Sequence, residues 1–117
     1  MKEIIAIIGG GIAGMEAAAQ LLKLGHTPII IEKSDRLGGH VARWNRLFPD
    51  LAPARKLIDI LTEACKEANI FLNTEVSLVN RLRDGYNIIL SNGITINTRY
   101  ILMTTGFKMF EASKKEE

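Results

Sequence analysis

A glycine-rich segment at residues 9–14, GGGIAG, constrains the fold of this chain more than any other feature. It directly follows the apolar run at 4–8 and opens a helical pattern. Gly9 permits a tight turn out of a strand, Gly11 lets the backbone approach a pyrophosphate, and Gly14 lets helix and strand pack closely. This order predicts a turn that holds the phosphates of a dinucleotide. The alternative is a glycine turn with a purely structural role.

The residues beyond the turn extend this prediction to the rest of a nucleotide. The backbone amides of Ile12 and Ala13 lie at the positive end of the predicted helix, where phosphate groups bind. Glu32, followed by Lys33, ends the next apolar run 18 residues beyond Gly14. A carboxylate at that distance accepts hydrogen bonds from an adenosine ribose and repels a 2′-phosphate, which favours NAD or FAD over NADP. The alternative for Glu32 is a solvated strand end.

The composition indicates one ordinary globular domain and excludes several classes of protein. The 117 residues are 47% hydrophobic and 24% charged, with a formal net charge of +2. This balance gives no argument for binding nucleic acid or an anionic membrane surface. Cys65 is the only cysteine, so the chain cannot form an internal disulfide, and its helical position predicts a small buried residue. No stretch is long enough to span a bilayer, and we expect a cytoplasmic protein.

The periodicity of the apolar residues predicts an α/β fold with a parallel sheet. The strands of this sheet are expected near 2–8, 27–32, 70–72 and 99–104, and the helices at 12–24 and 53–68. The second helix is predicted to face the core through an apolar stripe at Leu57, Ile60, Leu61, Ala64 and Ala68. A strand, helix, strand unit of the length seen at 2–32 requires a parallel pair of strands.

The pattern changes from helical to alternating after residue 74. Asp84-Gly85 and Asn92-Gly93 are hairpin turn signals, so we expect an antiparallel meander within 75–97. The final residues, 108–117, are mostly charged or small. We therefore expect a domain at 1–107 followed by a charged C-terminal tail at 108–117.

Four short motifs together resemble the FAD-binding domain of the two-dinucleotide-binding flavoproteins, the glutathione reductase class. They are GGGIAG at 9–14, IIIEK at 29–33, RLGG at 36–39 and TTG at 104–106. A narrower resemblance, in 32–51 and 104–117, is to the flavin subunit of the CoB–CoM heterodisulfide reductases and their bacterial relatives. The resemblance implies a Rossmann-like three-layer fold, present here as a truncated FAD/NAD(P)-binding domain, with FAD as the cofactor and NAD as the second choice.

The resemblance also implies roles for individual residues. Arg36 belongs to the turn that passes close to the cofactor, although a solvated loop cation would look the same in the sequence. The full set of implied cofactor-binding positions is Gly9, Gly11, Ile12, Ala13 and Gly14 at the pyrophosphate, Glu32 and Lys33 at the ribose, Arg36, Gly38 and Gly39 in the second turn, Val76 beside the adenine, and Thr105 and Gly106 near the cofactor.

Two departures from the family pattern limit the implied chemistry. Family members carry cysteine after the Phe-Pro pair, whereas residues 50–53 here are Asp-Leu-Ala-Pro, which argues against an iron–sulfur cluster. The Gly-Asp pair that contacts the ribityl chain has no counterpart after Gly106, and no catalytic residue can be named. We expect an FAD-binding domain of a flavin-dependent oxidoreductase that cannot turn over alone. The alternatives are a non-catalytic or regulatory module that binds the ADP half of NAD or FAD, and a structural remnant that binds no nucleotide.

The last predicted strand bears on assembly. If 99–104 lies at the edge of the sheet, its unpaired N–H and C=O groups invite a further strand. We therefore expect a homodimer or an association with other redox subunits.

Overall fold

A computed structural model describes residues 2–39 and 52–104 of the chain. Its helices and strands match the predicted ones, with small differences at their ends. In chain order they are β1 (Ile4–Ile8), α1 (Ile12–Lys23), β2 (Thr27–Ile31), α2 (Ala52–Ala64), β3 (Asn69–Phe71), β4 (Val76–Leu82), β5 (Gly85–Leu90), β6 (Thr95–Thr98) and β7 (Tyr100–Met103).

The parallel sheet has the strand order β3-β2-β1-β7, which confirms the predicted parallel pairing. The register pairs Ile8 at the end of β1 with Ile31 of β2 and with Met103 of β7, and Ile31 in turn with Phe71 of β3. The carboxyl ends of four strands therefore meet at one edge of the sheet. The chain segments that follow β1, β2 and β7 all leave from this edge.

The expected meander forms a second, antiparallel sheet in the order β4-β5-β6. It covers one face of the parallel sheet, where Ile88, Leu90 and Ile96 pack against Ala6 and Ile29. Helices α1 and α2 cover the opposite face. The result is the three-layer arrangement expected from the sequence, with the parallel sheet in the middle.

The alternation of side chains along β1 and β2 explains why both faces of the central sheet are apolar. Ile7 and Ile30 point towards the helices and pack with Met15, while Ala6, Ile29 and Ile31 pack towards the meander. Successive side chains of a strand point to opposite faces, so a strand covered on both sides needs a continuous apolar run. Cys65 is fully buried in the helical layer, as predicted.

The predicted core stripe of α2 is wrong in part. Leu57 and Ile60 are 43% and 59% exposed, and Ala64 is also exposed, whereas Leu61 and Cys65 are buried. Leu61 and Cys65 lie one helical turn apart, so they share the face that meets the core. The helix also ends at Ala64, before the predicted end at 68, and the chain turns there. Among the described residues, no helix combines the length and apolar character needed to cross a bilayer.

Candidate nucleotide-binding site

The turn after β1 is built from glycine for reasons of space and backbone conformation. Gly9 has a φ of +116°, which residues with a side chain rarely adopt, and its N–H donates to the carbonyl of Ile31 at 2.9 Å. A Cβ on Gly14 would collide with the carbonyl oxygen of Gly9. Helix α1 can therefore start directly against the turn only because residue 14 has no side chain.

The positive N-terminal end of α1 is not compensated by any side chain of the helix or of its N-cap residue. Gly11 is the N-cap residue, no side chain caps the helix, and no acidic residue lies in its first turn. The first N–H groups of an α-helix have no partner within the helix. Ile12 is partly buried and Ala13 is exposed, so these amides can meet a ligand. This arrangement suits a phosphate or pyrophosphate group.

The carboxylate of Glu32 lies directly beside the glycine turn. Its Oε1 accepts a hydrogen bond from the N–H of Gly10 at 2.6 Å, and its Oε2 accepts one from the N–H of Ser34 at 2.9 Å. Each carboxylate oxygen can accept a further hydrogen bond. The partly buried carboxylate is therefore fixed in place and still able to accept hydrogen bonds from hydroxyl groups.

A second glycine turn, at 36–39, closes against the first. The side chain of Leu37 covers Gly10 so closely that a Cβ on Gly10 would lie 2.6 Å from Leu37 Cδ2. The N–H of Gly38 donates to the carbonyl of Gly10 at 2.8 Å. A Cβ on Gly39 would lie 3.2 Å from the Cα of Gly11, so two backbones approach each other here without side chains. The predicted Gly38 and Gly39 thus contact the glycine turn at 9–14 directly.

Two predicted cations lie further out. Lys33 is exposed, and Arg36 places its Nε 3.3 Å from Oδ1 of Asp35 on the exposed part of the turn. An ion pair of this kind between exposed side chains contributes little to stability. Both cations are exposed, and the geometry does not show that either of them contacts a bound anion.

The start of the meander lies beside Glu32. The N–H of Thr74 donates to the carbonyl of Glu32 at 3.0 Å, and Val76 begins β4 two residues later. Val76 is partly buried. The predicted adenine-side strand is therefore adjacent to the predicted ribose-side carboxylate. The predicted Thr105 and Gly106 lie outside the described residues.

Sequence reasoning missed two residues that shape this site. Ser34 helps to hold the Glu32 carboxylate, as described above. The hydroxyl of Thr104 lies 2.9 Å from the carbonyl oxygen of Gly9 and 3.1 Å from that of Ile8. The signal available for Thr104 is its place at the carboxyl end of an apolar strand, as the first residue of the TTG motif. A sequence cannot show which carbonyl such a hydroxyl would meet.

The described residues hold no cluster suited to metal binding. In the ranges 2–39 and 52–104, no group of three or more His, Cys, Asp or Glu side chains is placed to hold a metal ion.

Burial raises the pKa of the Cys65 thiol above its ordinary value. A thiol held protonated in the core is a poor nucleophile.

Comparison with known proteins agrees with this geometry. Residues 7–64, which include both glycine turns and Glu32, match the model of the NAD(P)-binding Rossmann-like domain. The chain belongs to the Rossmann-like dinucleotide-binding domains. Its family therefore binds a flavin or nicotinamide dinucleotide, which is the ligand class that the phosphate turn and the Glu32 carboxylate suit.

Relatives of this dinucleotide-binding domain include redox proteins. An iron–sulfur subunit of the CoB–CoM heterodisulfide reductase of Methanopyrus kandleri is 34% identical over 87 residues, which cover 68% of this chain and 12% of that protein. Ferredoxin–NADP reductase of Leuconostoc mesenteroides is 31% identical over an alignment that covers 96% of this chain and 36% of that protein. The solved flavoprotein disulfide reductase RclA of Escherichia coli has a TM-score of 0.61 at 18% identity, over 89% of this chain and 22% of that one. The chain spans a minor part of each of these proteins.

Proposed function

We propose that this domain binds FAD, as the dinucleotide-binding part of a flavin-dependent oxidoreductase related to the flavin subunit of heterodisulfide reductase. The observation that carries the proposal is the position of Glu32. Its carboxylate is held 2.6 Å from the amide of Gly10, beside the uncapped N-terminus of α1. The proposed sites for a pyrophosphate and for a ribose would therefore lie side by side, in the order in which these groups occur in the ADP half of FAD.

The residues proposed to bind the cofactor divide by chemistry. Backbone amides at the start of α1 would hold the pyrophosphate, and the Glu32 carboxylate would accept hydrogen bonds from the ribose. Gly11 and Gly39 face each other without side chains, which would let the pyrophosphate come close to the backbone there. Bound FAD would supply the redox chemistry, while the protein binds and orients it. The proposed set is Gly9, Gly11, Ile12, Ala13, Gly14, Glu32, Lys33, Arg36, Gly38, Gly39, Val76, Thr105 and Gly106.

The choice of FAD over NAD rests on the meander and on the relatives. In this chain an antiparallel meander packs on the parallel sheet, and both glycine motifs are present. The same combination occurs in the flavoprotein class that the sequence resembles. One structural neighbour is itself named a flavoprotein. A carboxylate at the ribose position disfavours the 2′-phosphate of NADP in either case.

Titration calorimetry with AMP, ADP, NAD and FAD tests the proposal. We expect FAD to bind more tightly than ADP, and the protein to gain flavin absorbance after incubation with FAD and desalting. Failure of all four ligands to bind would contradict nucleotide binding altogether.

A second candidate function is a non-catalytic module that recognises only the ADP half of a dinucleotide. The residues described at this site favour it, because all of them would lie beside the phosphates, the ribose or the adenine and none beside the rest of a dinucleotide. Equal affinity for ADP, NAD and FAD would support this candidate against the first.

We also propose that the domain associates with a second copy or with other redox subunits. Among the described strands, β7 pairs only with β1 and leaves its other edge open. Its side chains Tyr100, Leu102 and Met103 are between 40% and 51% exposed. An open edge with exposed apolar side chains favours pairing with another chain.

A further inference from the structure

The peptide unit between Gly9 and Gly10 is held at both of its polar ends. Its carbonyl oxygen, on Gly9, lies 2.9 Å from the hydroxyl of Thr104. Its N–H, on Gly10, donates to Oε1 of Glu32 at 2.6 Å. A peptide unit is planar and its C=O and N–H groups point in opposite directions. Turning one end of this unit away from its partner therefore turns the other end away as well.

The hydroxyl of Thr104 occupies space that two glycines leave open. A Cβ on Gly9 would lie 2.8 Å from Thr104 Oγ1, and a Cβ on Gly14 would lie 3.0 Å from it. The N–H of Thr104 also donates to the carbonyl of Ile8 at 3.0 Å, which anchors the residue to the end of β1. The backbone hydrogen bond of Thr104 therefore holds its hydroxyl against the glycine turn.

We propose that Thr104 is a positioning residue for nucleotide recognition, acting on Glu32 through the Gly9–Gly10 peptide unit. The inference rests on the proposed function, since it concerns the same site. The chain of contacts runs from the hydroxyl on the residue after β7, across the end of β1, to the carboxylate at the end of β2. Thr104 itself is placed to contact the protein backbone, and its effect on the ligand is transmitted by the peptide unit.

The hydroxyl fixes two features that a nucleotide needs. It holds the carbonyl of Gly9 away from the phosphates, where a carbonyl oxygen would repel them. It also keeps the N–H of Gly10 directed at Glu32, which preserves a hydrogen bond to an ionised group, the stronger kind. Without the hydroxyl, the peptide unit can rotate and the carboxylate loses one of its two backbone partners.

Substitution of Thr104 by Val and by Ser tests the role of the hydroxyl. Val keeps the shape and removes the hydroxyl, so we expect T104V to bind ADP and FAD about tenfold more weakly, the effect of about one hydrogen bond. Ser restores the hydroxyl, so T104S is expected to recover most of the lost affinity. Titration calorimetry measures the affinity, and urea unfolding measures the stability of each variant.

Thr98, the last residue of β6 in the meander, provides a matched control beside the opposite end of β1. Its buried hydroxyl also donates to a carbonyl of β1, that of Ile4, far from the glycine turn. T98V should lose stability like T104V but keep the wild-type affinity. If T104V binds as tightly as the wild type, or if T98V weakens binding equally, the positioning role is overturned. Absence of binding by the wild-type protein would instead overturn the proposed function, and this inference with it.

A double-mutant cycle with E32A, which removes the acceptor of the Gly10 hydrogen bond, tests the transmission itself. If Thr104 acts through Glu32, T104V should weaken ADP binding less in the E32A background than in the wild type. Independent, additive effects would overturn the coupling. The amide proton of Gly10 gives a readout without ligand, because its NMR resonance should shift in T104V and remain in place in T98V. An unchanged resonance in T104V would also count against the proposal.

Discussion

The carboxylate of Glu32 accepts a hydrogen bond from the amide of Gly10 at 2.6 Å. The acidic residue that follows β2 is therefore bonded directly to the turn that follows β1. The two residues belong to motifs that we propose to contact different parts of a nucleotide. Their contact makes the predicted phosphate site and the predicted ribose site one structure, in which a change at either residue is expected to alter the other.

Gly14→Ala is expected to destabilise the fold. The added methyl group would collide with the carbonyl oxygen of Gly9, where backbone meets backbone and neither can move cheaply. Overpacking of this kind costs about 1–3 kcal/mol. Urea unfolding followed by circular dichroism measures the change, and a wild-type midpoint for this variant would show that α1 does not pack against the turn as described.

Gly11→Ala is the matched control, because the two glycines have different surroundings. A Cβ on Gly11 would have the Cα of Gly39 at 3.9 Å as its nearest neighbour, an ordinary contact, and the φ of −77° suits any residue. We expect the stability to change by less than about 1 kcal/mol. The methyl group would instead stand where the pyrophosphate approaches, so the affinity for ADP should fall. Unchanged affinity in calorimetry would remove Gly11 from the proposed site.

Glu32→Gln is expected to change the discrimination against a 2′-phosphate. The substitution removes the negative charge while keeping an oxygen that can accept the hydrogen bond from Gly10. Binding of adenosine 2′,5′-bisphosphate should therefore improve relative to AMP, as measured by calorimetry with both ligands. Asp35→Asn removes an exposed charge nearby and should leave the ratio unchanged. If both variants shift the ratio equally, general electrostatics, and not the Glu32 contact, sets the preference.

The stability of the protein should fall at alkaline pH because of Cys65. Burial raises the pKa of this thiol in the folded state, so the unfolded chain loses the proton at a lower pH than the folded one. The stabilisation is full below the unfolded pKa, about 9, and is lost as the pH rises through the folded pKa. In Cys65→Ala this contribution is absent. The stability difference between wild type and variant, from urea unfolding at pH 7 to 10.5, should therefore decrease above about pH 9. A constant difference would contradict the assignment.

Self-association through β7 should be sensitive to charge on that strand. Leu102 is 40% exposed on β7, and a lysine there should disfavour the approach of another strand. We expect the wild-type protein to form dimers or larger species in size-exclusion chromatography with light scattering, and Leu102→Lys to reduce them. Leu57→Lys, on the exposed face of α2, is the control and should associate like the wild type. A wild-type protein that is monomeric at all concentrations would contradict association with a second copy.

Much of the fold could be predicted because its signals are local. The continuous apolar runs of β1 and β2, the glycines at 9–14 and the turn pairs of the meander each constrain a few neighbouring residues. The prediction failed at Leu57 and Ile60, where the helical period was correct but the core reached only the face that carries Leu61 and Cys65. A hydrophobic period shows that an apolar face exists, whereas burial depends on what the fold places opposite it.

The sequence by itself determined the parts of the site that depend on backbone freedom and on residue chemistry. Gly9 and Gly14 were predictable because no other residue suits that turn and that close approach, whereas the role of Glu32 at a ribose stays a prediction from the spacing of its carboxylate. The tertiary structure alone decided which groups meet. Thr104 and Glu32 lie 72 positions apart in the chain and become partners of one peptide unit. They do so because β2, β1 and β7 are parallel and in register, so residues distant in sequence leave the sheet at the same edge.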